Sequence, residues 1–173
     1  GATMTTAGGT ATSILAPATA GDYKFFVIDA AGNASAASSA TLTVDGTAPT
    51  AAIAYTVGGV SRTAVKTGDS LLITATFSEA MAASPVPQIA ISGTNAVSAT
   101  NMTLVDTTHY TYTHTVTSGN GAATIALSIG TDVAGNVITS APSSGATFTV
   151  DNTAPGNDWT CGNSAIITHT AGV

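Results

Sequence analysis

One passage of this chain occurs twice. Asp29-Ala-Ala-Gly-Asn33 precedes Thr41-Leu-Thr-Val-Asp-Gly-Thr-Ala-Pro49, and Asp132-Val-Ala-Gly-Asn136 precedes Thr147-Phe-Thr-Val-Asp-Asn-Thr-Ala-Pro155. The copies lie about a hundred residues apart, a period that holds a whole domain and exceeds the roughly 20–50 residues of a solenoid repeat. The chain therefore reads as a slice of a tandem array. Residues 1–46 supply the C-terminal strands of one module and 47–152 a complete module. Residues 153–173 form a linker and either the start of a further module or an inter-subunit strand.

Hydrophobicity alternates with period two nearly throughout, which is the mark of half-buried strands. In the first unit, the run from Tyr23 to Ile28 and the alternating stretch from Ala40 to Val44 flank the Asp29 turn as a hairpin, with a weaker strand over 10–15 ahead of it. Three strands cannot bury a core unaided. In the complete unit, strands are expected over 51–57, 70–78, 88–92, 102–105, 109–116, 123–129 and 146–150. A short link over 79–83 is the one helix candidate. About seven short antiparallel strands in such a length make the fold class all-β, with tandem immunoglobulin-like β-sandwich modules.

Composition restricts the partners. Charged residues are only 7% of the chain, against roughly 25% in ordinary globular proteins. Lys24, Arg62 and Lys66 are the only Lys or Arg, set against nine carboxylates and giving a net charge of −6. No basic stripe exists, so nucleic acid is a poor partner. Carboxylates short of cationic partners are the condition under which a divalent cation becomes a counterion. The lone Cys161 cannot form an internal disulfide and reads as a small buried residue. No apolar run reaches the roughly 18 residues of a membrane span. An export signal, if used, lies outside this sequence or has been removed.

The phrase Ile73-Thr-Ala-Thr-Phe-Ser-Glu79, the pair Asp132-Val-Ala-Gly-Asn136, and Thr147-Phe-Thr-Val-Asp-Asn-Thr-Ala-Pro155 together resemble the bacterial immunoglobulin-like (Big-type) repeats of large surface adhesins and other exported array proteins. The resemblance covers about residues 20–156 and departs from the pattern after Pro155. It implies an extracellular or cell-surface setting.

In such a sandwich the second and sixth strands run parallel, so their C-terminal ends share one pole. Glu79 ends the second strand, Asp132 and Asn136 flank the turn after the sixth, and Asp45 lies in the incoming linker. These four are the candidate metal ligands, and a hard, flexible oxygen set suits Ca²⁺ better than Mg²⁺. The similar adhesin repeats bind calcium at such junctions, which implies Ca²⁺ as the cofactor here. Asp29 with Asn33, and Asp151 with Asn152, are the weaker counterparts at neighbouring junctions. The competing reading is that Asp132 and Asn136 only shape a tight turn, with Gly135 at positive φ.

Catalytic constellations are missing, so no enzyme is expected. His109 and His114 lie on one strand at positions that alternate to opposite faces, and both read as strand-surface histidines. Tyr110 and Tyr112 share a face, either as a core or cross-strand pair or as an exposed platform for sugar. The expected function is structural or adhesive: a stalk, surface layer or filament whose partners are neighbouring copies of the module or chain, with cell-surface glycans as further candidates. Strand complementation between chains is a variant of the same idea. The alternative is a carbohydrate-binding or spacer module of a secreted hydrolase.

Overall fold

Alternation of apolar with small polar residues builds the strands that the computed structural model describes between residues 15 and 156. The expected strand over 10–15, Leu15 apart, lies outside the described residues. So do Trp159, Cys161, His169 and any further module after 156.

The first unit contributes β1 (Gly21–Tyr23) and β2 (Leu42–Val44), an antiparallel pair with Gly21 opposite Val44 and Tyr23 opposite Leu42. The pairing continues toward the Asp29 turn through Ser38 N–H to Phe25 O, Ser35 N–H to Val27 O and a bridge between Ile28 and Ala34. The hairpin expected from the sequence is present, but its first strand covers Gly21–Tyr23 and residues 24–27 of the expected run lie outside regular strand.

Two five-stranded sheets follow. The first has the order β4 (Val60–Ser61), β3 (Ala51–Val57), β6 (Ser70–Phe77), β10 (His109–Thr115), β9 (Thr103–Leu104). The second runs β5 (Ala64–Val65), β12 (Thr147–Val150), β11 (Gly121–Ser128), β7 (Gln88–Gly93), β8 (Val97–Asn101). All pairings are antiparallel except β5 with β12. The chain is all-β over its described residues, with the two sheets packed on each other.

The alternation holds almost residue by residue. Leu71, Ile73, Ala75 and Phe77 of β6 are buried, while Leu72 and Thr76 face outward. Ala123, Ile125 and Leu127 of β11 meet them from the other sheet in one continuous core with Ile89, Ile91, Phe148 and Val150. Tyr55 and Phe148 pack across the sheets with ring centroids 5.4 Å apart, and Phe77 meets Tyr110 edge-on at 5.6 Å. Burial of this kind supplies most of the stability of a chain without crosslinks. No Asp, Glu, Lys or Arg occurs in any strand from β3 to β12. Every charge of this unit sits in a turn or a linker.

Three expectations need correction. The 79–83 link is not helical: Met81 is pinned by its amide to Thr107 O and bridges Asp132. The strand expected over 102–105 shortens to β9 (Thr103–Leu104), which does not lie beside β7. That place is taken by β8, with Gln88 opposite Asn101, and the chain then crosses at buried Met102 into β9 on the other sheet. The segment after β3 adds two short strands, β4 and β5, because the chain switches sheets between them.

Candidate acidic junction

Both copies of the Asp-x-x-Gly-Asn turn close through the Asn backbone amide and the Asn side chain on the Asp carboxylate, and differ in the second amide that the carboxylate accepts. Asp132 Oδ1 accepts the amides of Gly135 (2.6 Å) and Asn136 (2.8 Å), and Asn136 Nδ2 donates to Asp132 Oδ2 (2.8 Å). Asp29 Oδ1 accepts the amides of Ala31 (2.9 Å) and Asn33 (2.8 Å), and Asn33 Nδ2 donates to Asp29 Oδ2 (2.9 Å). Gly32 and Gly135 sit at φ 91° and 99°, the left-handed region that a side chain would resist. The turn-shaping reading is thus satisfied in both copies. The linker phrases match as well: Thr47 N–H donates to Asp45 Oδ1 at 2.9 Å, and Thr153 N–H to Asp151 Oδ1 at 2.8 Å.

At the pole where the linker enters, the second copy does more. Asn136 Nδ2 also reaches Asp45 O (3.1 Å), fastening the incoming linker to the turn. Parallel strands β6 and β11 end here, so Glu79 arrives beside Asp132. Ligand oxygens of Asp45, Glu79 and Asp132 all lie within 4.8 Å of one another. They line an open cleft of about 340 Å³, whose wall also includes Thr43 of β2. The structure therefore brings together all four of the main sequence candidates. Thr43 was not singled out, and its outward place in the alternating Thr41-Leu-Thr-Val run was the available signal.

The two weaker pairs stand apart. Asp29 and Asn33 occupy their own exposed turn, and Asp151 and Asn152 lie at the opposite pole. Asn152 anchors the outgoing linker there. Its Oδ1 accepts the Thr67 amide (2.7 Å), its Nδ2 donates to Gly119 O, and its backbone amide donates to Asn120 Oδ1 (2.6 Å).

Electrostatics distinguish the three carboxylates. Burial would raise the Asp132 carboxyl, but the Asn136 side chain and the amides of the turn outweigh it and hold it below the usual range. Glu79 is pushed up, by burial first and then by the charges of Asp45 and Asp132. Among the described residues the ion pairs are Lys66 with Asp69 and His109 with Asp106, so no cation compensates the trio. Three crowded carboxylates with only oxygen donors and no internal counterion fit a hard divalent cation.

Without such a cation, Glu79→Gln is expected to stabilise the fold slightly, by less than about 1 kcal/mol because solvent screens an accessible group. The raised Glu79 carboxyl sets the sign. The folded chain binds the extra proton, so acidification through that raised value relieves the repulsion and the advantage of the variant disappears. Thermal melts of both proteins at neutral and acidic pH, with and without salt, check this. A melting point lowered by the substitution at neutral pH would contradict it.

His109 and His114 do point to opposite faces, but His114 is not a surface residue. It is 7% exposed and directed between the sheets. Tyr110 is buried and Tyr112 packs against the core, so the tyrosine pair belongs to the interior. No helix among the described residues is long and apolar enough to cross a membrane. The chain matches no protein-family model and no curated protein.

Proposed function

We propose that this chain is a section of an exported, non-catalytic array of immunoglobulin-like modules, built as a stalk, surface layer or filament and stiffened by Ca²⁺ at the junction between units. The observation that carries the reading is the meeting of Asp45, from the linker that leaves the first unit, with Glu79 and Asp132 of the next. A cation held there would tie the linker to the module and restrict their relative motion. The two-sheet order, with β3, β6, β10 and β9 facing β12, β11, β7 and β8, is the strand arrangement expected of an immunoglobulin-like sandwich. The shared Asp-to-Asn closure of both Asp-x-x-Gly-Asn turns supports repetition of that unit. Neighbouring copies of the module are the natural partners, with cell-surface glycans as further candidates at an extracellular surface.

Calcium titration of the intact chain tests the proposal. At a hundredfold excess over Kd, binding to the folded state alone adds about 2.7 kcal/mol of stability, visible as a rise in melting temperature that a chelator reverses. Asp45→Asn is expected to weaken binding while leaving the melt without calcium nearly unchanged, because Asn can still accept the Thr47 amide. No heat on titration and a melting temperature indifferent to chelator would overturn the calcium junction.

A further inference from the structure

The run from Lys24 to Ile28 is apolar on both sides, and its outer edge is bare. Phe25, Phe26, Val27 and Ile28 are between 48% and 74% exposed. Phe25 and Val27 turn their main-chain groups to the returning segment. There Ser38 Oγ (3.0 Å) and Ser35 Oγ (2.9 Å) accept their amides, and the Ser38 and Ser35 amides donate back to Phe25 O and Val27 O. The bridge of Ile28 with Ala34 is closed by its neighbours, through Ser35 N–H to Val27 O and Asp29 N–H to Asn33 O. In extended backbone the alternate residues Lys24, Phe26 and Ile28 therefore aim their N–H and C=O groups away from the hairpin. Among the described residues nothing meets them. In the complete unit the matching edge of β11 is covered by β7, which runs along it from Ser128 to Ala123.

We propose that this edge pairs antiparallel with the same edge of a second copy, about a two-fold axis at Phe26, joining two hairpins into a four-stranded sheet. The contact rests on the reading of neighbouring copies as partners and names the segment through which they meet. In this register Phe26 lies opposite its counterpart and Lys24 opposite Ile28 of the second copy, so the outward groups of all three residues are satisfied in both chains. Phe25 then stands beside Val27 of the second copy on the other face, an aromatic and β-branched pair. A two-stranded ribbon is marginal in water, and three or more strands with an apolar face are needed for independent stability. Charge selects the partner and the direction. Lys24 is the only Lys or Arg before Arg62, and it makes no ion pair among the described residues. The antiparallel register sets each Lys24 next to the other copy's Asp29, which follows Ile28 in an exposed turn. A parallel stack would instead lay Lys24 on Lys24 and Asp29 on Asp29, and like charges directly opposite are destabilising.

Light scattering and NMR of the intact chain between about 10 μM and 1 mM test the pairing. The dimer should grow with concentration. Once it predominates, protection of the Lys24, Phe26 and Ile28 amides against exchange should rise about threefold for each tenfold increase in concentration, as mass action requires of a dimer. The Leu127 amide, bonded to Ser140 O in the complete unit, should not respond. In a mixture of labelled and unlabelled chains, the α-protons of Phe25 and Val27 should be in contact across the copies, the signature of this register. Phe26→Lys sets two like charges opposite each other at the axis and should leave a monomer. Its Ser35 and Ser38 amides, which close the hairpin itself, should stay as protected as in the dilute parent chain. A parent chain that stays monomeric throughout, a dimer that persists in Phe26→Lys, or contacts that place Lys24 beside Lys24 would each overturn the pairing. A chain that binds calcium yet stays monomeric would lose this contact alone, so the two readings fail separately.

Discussion

Phe148→Ala is expected to remove about 3–5 kcal/mol of stability, the largest loss available from a single truncation in this core. Phe148 is 1% exposed and stands on β12, where it meets Tyr55 from the opposite sheet and the ring of His114. Its removal opens a void that neither sheet can close, because both are fixed by ladders on either side. Against the roughly 5–15 kcal/mol that folds such a domain, the loss is a large fraction of the total. Urea denaturation should show a much lower midpoint with an unchanged slope. A shift below about 1 kcal/mol would mean that the interior is far more pliable than its packing implies.

A substitution of one methyl group is expected to do nearly as much. Gly145 has φ 68°, and a Cβ built there would lie 2.0 Å from Ile53 O and 2.9 Å from Ile53 C. Both obstacles are backbone, and that backbone is engaged: Ile53 N–H donates to Ser144 O, and Ser143 N–H donates to Ala51 O. Tyr55 also donates its hydroxyl proton to Gly145 O, and burial pushes that phenol up to about 12. Gly145→Ala must therefore push the 143–145 segment off β3 and give up these contacts. Left-handed strain and overpacking together amount to about 3 kcal/mol. The same denaturation series measures it, and a variant as stable as the parent would show that this segment is not held against β3.

These two sites show what the sequence made legible. Phe148 announced itself through the alternating Thr-Phe-Thr-Val run, as did the buried positions of β6 and β11, because period-two burial is imposed by the pleat itself. Gly145 did not, since its constraint comes from a strand far away along the chain. The same distinction explains the errors. Residues 102–105 look like a strand and supply β9, but the preceding β8 has no clear apolar alternation to announce it, and no local pattern records that the chain changes sheets at Met102. β4 and β5 are too short to form a periodic run. Alternation separated His109 from His114, but that the face of His114 is interior depends on residues from distant segments, Asn95 and Phe148, meeting it.

The candidate junction was more legible than the fold's details, for a topological reason. Once two parallel strands are identified, the residues that end them must meet, whatever lies between. Glu79, Asp132 and the linker residue Asp45 follow from that alone. The amide cluster at the other pole was hidden, because Asn95, Asn120 and Asn152 come from three unrelated turns. Asn152 in particular reads as a ligand by its place beside Asp151, whereas its side chain is occupied in holding Thr67 and Gly119.

The parallel pairing of β5 with β12 gives the unit a mechanical character. The chain enters at the acidic pole and leaves at the other, so tension between the linkers runs along the strands. The Thr149 N–H to Thr63 O and Asp151 N–H to Val65 O bonds, each 2.8 Å, tie the departing strand to the incoming half of the unit and lie across that pull. They are loaded in shear and must yield together, unlike the rungs of a hairpin, which open one after another. Extension is therefore resisted where the departing strand β12 runs beside the internal strand β5.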